Sequence, residues 1–192
     1  MFNEGSILFV GVGGQGTILA SKVLSTGLMD MGFDVKMSEV HGMAQRGGSV
    51  STQVRFAPKV YSPLIEAGKA DAIVSFEKSE AGRWIHFLKE GGILIANNHE
   101  IRPYSVNVGK EAYPESLFEE LTSKIEHSYI INADAEAKAL GNVKVSNMVL
   151  LGKLIVSLQL ESYDWEALIM DTFPEKLAKI NVEAVKIGMN HN

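Results

Sequence analysis

The segment Gly11-Val12-Gly13-Gly14-Gln15-Gly16 constrains this chain more than any other. It follows directly on an apolar run, Ser6 to Val10, which reads as a buried strand. Residues 14–31 carry Ala20, Val23, Leu24, Gly27 and Met31 at helical spacing, and Gly32 is placed to cap the helix C-terminus. A strand, a glycine turn and a helix in succession make a βα unit, the building block of a parallel sheet covered by helices. Gly11, Gly13 and Gly16 also satisfy G-x-G-x-x-G, and Thr17 follows them. Glycines allow the tight turn and let a phosphate approach the main chain, where a helix N-terminus offers N–H groups. Glu39 falls 23 residues after Gly16, where a dinucleotide-binding fold places a ribose-binding carboxylate. Three readings stay open: a turn that binds nothing, a stand-alone NAD- or FAD-binding protein, and a site for another phosphate-bearing ligand.

The same alternation continues to residue 140. Strands are expected at residues 35–40, 49–56, 72–76, 93–96, 104–108 and 129–131, and helices at 79–90, 114–124 and 134–140. A short turn or helix is expected to open at Ser62-Pro63. The fold class is therefore α/β, a three-layer sandwich around a mostly parallel or mixed sheet, with C-terminal helices. Residues 49–56 alternate Val50, Thr52, Val54 and Phe56 with polar partners, which suits an antiparallel or edge strand. The helix at 147–160 is apolar nearly all round, so it is either central core or covered by a partner. In the last helix Leu177, Ile180, Ala184 and Ile187 form the expected seam, flanked by a Lys179–Glu183 ion pair. We expect one domain over 1–160 and a helical extension, 161–192, packed on it.

The second informative segment is Glu39-Val40-His41-Gly42-Met43-Ala44-Gln45-Arg46-Gly47-Gly48. Between two strands it gathers three donor side chains, His41, Gln45 and Arg46, with Gly42, Gly47 and Gly48. In a parallel arrangement this loop shares an edge with Gly11–Gly16, beyond the strand carboxyl ends where ligands of open α/β sheets bind. Arg46 suits a phosphate or carboxylate gripped bidentately. A subunit-contact loop is the equal alternative, since Arg and Met favour interfaces. Lys22 and Arg55 are weaker candidates for holding the same charge.

Together these two segments resemble the gamma-type domain of the 2-oxoacid:ferredoxin oxidoreductases, and within them the branch acting on indolepyruvate and other aryl pyruvates. Asn147-Met148, opening the apolar helix, agrees with the resemblance, which spans about residues 5–160. It implies a subunit, inactive alone, of an enzyme that decarboxylates a 2-oxoacid oxidatively to an acyl-CoA and reduces ferredoxin. It further implies thiamine diphosphate and iron–sulfur clusters on a larger alpha subunit, and coenzyme A at or near Gly11, Gly13, Gly14, Gln15, Gly16, Thr17, Glu39, His41, Gln45, Arg46, Gly47 and Gly48. No catalytic residue and no tightly bound cofactor are expected on this chain. A gamma subunit for pyruvate, 2-oxoisovalerate or 2-oxoglutarate is the neighbouring alternative, and a homodimer is open to the isolated chain.

Composition narrows the rest. The chain has no cysteine, so thiolate zinc sites, disulfides and cysteine-held clusters are excluded from it. A net charge of -5 without a basic stripe argues against nucleic acid. The N-terminus lacks a signal peptide's positive region and no apolar stretch reaches the ~20 residues of a membrane span, so a cytoplasmic protein is expected. No metal site and no nucleophile motif is legible. Asp71, Glu77 and Glu80 read as solvated strand and helix ends. Asn97, Asn98 and His99 follow a strand end and are minor candidates for the border of the site.

Overall fold

Along β1 (Gly5–Val12), Ile7 and Phe9 join one hydrophobic cluster, Leu8 and Val10 another, and all four are fully buried. A strand apolar on both sides needs cover on both sides, and the chain supplies it. The computed structural model describes residues 3–41, 47–102, 104–110 and 112–191. In chain order β1 is followed by α1 (Thr17–Asp30), β2 (Asp34–His41), β3 (Ser49–Ala57), β4 (Ala70–Ser75), α2 (Lys78–Trp84), β5 (Leu88–Asn97), α3 (Tyr104–Asn107), α4 (Leu117–Lys124), β6 (His127–Ile131), α5 (Ala133–Ala139), α6 (Ser146–Ser157), α7 (Trp165–Thr172) and α8 (Glu175–Met189). One cluster unites the sheet with α1 and α5–α8, the other with α2 and α4. The expected three-layer α/β sandwich is thus formed. No helix among the described residues is long and apolar enough to cross a membrane.

The sheet order is β2-β3-β1-β4-β5-β6. β1, β4, β5 and β6 are parallel neighbours, and β3 is antiparallel to both β1 and β2. The polar alternation of residues 49–56 signalled the antiparallel strand correctly but not an edge, because β3 lies inside the sheet. Its polar side is covered by the irregular segment after it: Ile65 N–H donates to Gln53 Oε1 (2.6 Å) and Arg55 Nη1 to the Ser62 carbonyl (3.2 Å). No helix opens at Ser62-Pro63. β2 and β6 are the edges, and β2 carries the exposed Lys36, a common guard against edge-to-edge pairing.

Other expectations need correction. The helix expected over 79–90 ends at Trp84; after a 3₁₀ turn Leu88 is already strand, paired with Ala70. The helical spacing of Ala81, Trp84 and Leu88 is real, yet pairing with β4 claims Leu88. Residues 104–107 make one helical turn, not a strand, and the helix expected from Pro114 starts at Leu117.

α6 is settled as central core, with Asn147 to Ile155 all buried. Its contact with α8 is backbone-close. A Cβ on Gly188 would sit 1.9 Å from the Val149 carbonyl oxygen, and one on Gly152 2.1 Å from that of Val185. This crossing turns Ala178, Val182, Val185 and Gly188 inward and leaves Leu177 45% exposed, so the expected Leu177 seam is rotated. Lys179 pairs with Glu175 rather than Glu183, which places the glutamate N-terminal, the better helical order.

Candidate functional site

β1, β2, β4, β5 and β6 all run one way, so their carboxyl ends share one edge, where β3 begins. There the two glycine segments meet. Gly13 N–H donates to the Gly48 carbonyl (2.9 Å) and Gly47 N–H reaches the Gly13 carbonyl (3.5 Å). The expected common edge is therefore present, although an antiparallel strand makes it. At Gly14, φ is +107° and a Cβ would meet nothing within 4 Å, so this left-handed backbone faces open space. Gly16 caps α1 at φ +84° with no side-chain hydrogen bond, and the first turn holds no acidic residue. The first N–H groups of a helix have no partner within it, so this end is electrostatically ready for an anion.

Behind Gly16 stands Asn147 at the start of α6. Its Nδ2 donates to the Gly16 carbonyl (3.2 Å), and a Cβ at Gly16 would lie 2.6 Å from that nitrogen. Asn147 is 2% exposed, and its Oδ1 has no partner among the described residues. In front, Gly13, Gly14, Thr17, Lys22, Glu39 and His41 line a pocket of about 490 Å³. Ile18 (40% exposed) and Val40 (51%) add apolar surface to it. A cavity of about 520 Å³ lies at the opposite edge; of its lining charges, Lys59 pairs with Asp34 and Asp71 with Lys89.

The expected site residues do not share one role. Gln15 is a brace: its Oε1 accepts from Val12 N–H (2.8 Å) and its Nε2 donates to the Phe76 carbonyl (3.0 Å), tying the ends of β1 and β4. Gly11 makes room for that brace, since a Cβ there would lie 2.8 Å from Gln15 Oε1. Thr17 is buried, while Glu39 and His41 are exposed on the far wall. Glu39 pairs with Thr52 and Thr52 with Phe9, so β3 separates it from β1. That puts it two strand spacings, ~10 Å, from the glycine turn. A dinucleotide fold sets the first two strands side by side; here β3 stands between them. Arg55 points to carbonyls at the opposite edge. Gln45 and Arg46 lie outside the described residues.

The β4–β5 side holds residues that the sequence reading discounted or ranked as minor. Glu77 is fully buried rather than solvated, as is nearly all of Glu80. Glu77 accepts from Ser79 Oγ, Glu80 N–H, Ile101 N–H and Tyr113 Oη at 2.5–3.1 Å. Burial first, then the charge and hydrogen bond of Glu77, pushes the Tyr113 phenol well up. Glu80 Oε2 accepts from Ser49 Oγ (2.5 Å), linking α2 to the start of β3. At the end of β5, Asn97 Nδ2 donates to Asp134 Oδ1 (3.1 Å), and His99 Nδ1 bonds Asp134 Oδ2 (2.5 Å). The one sequence signal for Glu77 was local: an acidic residue just before a helix, three positions ahead of Glu80, is a capping pattern.

An open α/β sheet with two glycine segments meeting at its carboxyl edge defines the class. The chain belongs to the pyruvate ferredoxin/flavodoxin oxidoreductase family, matched over residues 6–191. It is similar to the indolepyruvate oxidoreductase subunit IorB of Pyrococcus horikoshii, 37% identical over 97% of this chain and 95% of the relative. The IorB of Thermococcus kodakarensis is 36% identical over the same shares. Among solved structures, the keto/oxoacid ferredoxin oxidoreductase gamma subunit from Geobacter sulfurreducens shares the fold, with TM-score 0.70, 22% identity and 97% of each chain covered. The resemblance carried by the two glycine segments is thereby borne out.

Proposed function

We propose that this chain is the small subunit of a cytoplasmic indolepyruvate ferredoxin oxidoreductase, and that its carboxyl edge receives coenzyme A. Similarity to IorB along nearly the whole length supports the substrate. The observation that carries the coenzyme A reading is the uncapped start of α1 beside the open backbone of Gly14. Phosphate oxygens of the ligand would accept from those N–H groups, with Lys22 also on the pocket wall. The side-chain set fits such a ligand in kind: a glycine seat for phosphate, apolar Ile18 and Val40 beside it, and Glu39 for a hydroxyl. Gln45 and Arg46, next in sequence to Gly47 and Gly48, belong to the same proposed site.

Thiamine diphosphate and iron–sulfur clusters would belong to a larger alpha subunit, which also passes electrons to ferredoxin. They supply decarboxylation and electron transfer; this chain binds and orients the thiol co-substrate. The exposed apolar rim of the pocket supports a partner covering this edge. The test is anaerobic purification with whatever the chain binds, followed by indolepyruvate- and coenzyme A-dependent dye reduction. A larger iron-containing partner and activity that vanishes without this chain are expected. Activity unchanged without it would end the proposal.

A further inference from the structure

We infer that His99 is a catalytic residue of the coenzyme A step, taking the proton from the thiol, with Asp134 and Asn97 as its positioning residues. The inference rests on the coenzyme A reading above and adds the group that activates the thiol.

Every atom that could orient the His99 ring is committed. Asn97, the last residue of β5 and 3% exposed, spends its Oδ1 on Ala133 N–H (3.0 Å) and its Nδ2 on Asp134 Oδ1. Asp134 Oδ2 then takes His99 Nδ1 at 2.5 Å. The His99 main chain is pinned as well: its N–H donates to the Asn97 carbonyl (2.8 Å) and its carbonyl accepts from Lys78 N–H (2.9 Å). His99 thus straddles the sheet edge, tied to α2 on one face and to α5 on the other. A carboxylate can only accept, so it selects the tautomer with hydrogen on Nδ1 and leaves the lone pair on Nε2. Nε2 has no partner among the described residues, and the side chain is 36% exposed. Three residues therefore hold one imidazole with its basic nitrogen facing out, the arrangement of an oriented general base.

The placement suits a thiol at the far end of a long ligand. β5 lies two strands from β1, so His99 stands ~10 Å along the edge from the glycine seat. An arm anchored by its phosphates at Gly14 would run along the edge toward it. In the step, the S–H bond breaks, its proton bonds to Nε2, and the electron pair stays on sulfur as thiolate. No oxidant is consumed. The titratable groups around His99 are Asp134 from α5, Glu77 and Lys78 at the start of α2, and Glu100 next in its own loop.

The test uses the assembled enzyme with His99→Gln and, separately, Asp134→Asn. We expect kcat/KM for coenzyme A to fall about 100-fold in His99→Gln. That fall should exceed any change in the 2-oxoacid-dependent dye reduction of a first turnover without coenzyme A. Asp134→Asn, which keeps the side-chain shape, should lower the same constant should His99→Gln fail to assemble. An active wild type with an indifferent His99→Gln overturns this inference alone, as does equal loss in the coenzyme A-independent turnover. A wild-type enzyme that forms no acyl-CoA overturns the parent reading and this inference together.

Discussion

The two halves of the carboxyl edge are built by opposite means. On the β1–β3 side, main chain bonds main chain: Gly13 meets Gly47 and Gly48, the start of α1 is uncapped, and space lies open over Gly14. On the β4–β5 side, side chains close on one another: Glu77 gathers four donors, and Lys78 bridges Glu100 and the Glu115 carbonyl beneath the Tyr113 ring. Buried polar groups without partners cost free energy. The first half therefore leaves its donors for something outside the chain. The second spends its own on rigidity, while His99 Nε2 has no partner among the described residues.

That contrast can be broken by mutation. Glu77→Ala should be the most damaging change, since it strips the acceptor from four groups at once. We expect a loss of about 3–5 kcal/mol in chemical denaturation; a loss under about 1 kcal/mol would mean that the network closes without it. Gln15→Ala removes two hydrogen bonds between strand ends and should cost about 1–3 kcal/mol by the same measurement, without direct loss of a ligand contact. Gly14→Ala meets no atom but is strained at φ +107°, so about 1–2 kcal/mol is expected, together with a rise in KM for coenzyme A in the assembled enzyme. Stability losses as large as those of Glu77→Ala would place Gly14 in the structural half.

The smallest effect is spectroscopic. Tyr113 and Tyr163 should ionise above the ordinary phenol value of 10 in an alkaline absorbance titration. Tyr163 is pushed up to about 12 by burial and then by its hydrogen bond to Asp30. A phenol whose pKa is raised by folding stabilises the fold below its ordinary value of 10 and loses that contribution as pH rises beyond it. Both tyrosines thus weaken the fold only above pH 10, Tyr163 between 10 and about 12. In Glu77→Gln the Tyr113 transition should move down while Tyr163 stays. Equal movement of both would signal general loosening rather than loss of one carboxylate.

What was legible in the sequence was local. The apolar run into Gly11, the helix closed by Gly32 and the burial of α6 follow from spacing within a few turns. The two glycine segments could be placed on one edge because a loop between strands has few other places to go. What was not legible depends on distant partners. Glu77 looks like a solvated helix start until residues 101 and 113 return to it. Gln15 looks like a ligand contact until Phe76 claims its amide. Leu88 carries the helix period, yet Ala70 draws it into the sheet. Nothing local states that β3 lies between β1 and β2, and that insertion alone moves Glu39 away from the glycine turn.

The same insertion governs how the chain can assemble. β2 and β3 form a hairpin and can pair as soon as both are made, whereas β1 waits for a partner from far along the chain. The hairpin's register then decides which side of β3 greets α1. A slip of one residue would exchange Val50, Thr52, Val54 and Phe56 for Ser49, Ser51, Gln53 and Arg55. The spacing from His41 to Ser49 is thus a folding instruction, and an insertion there would scramble a core before it touched a ligand.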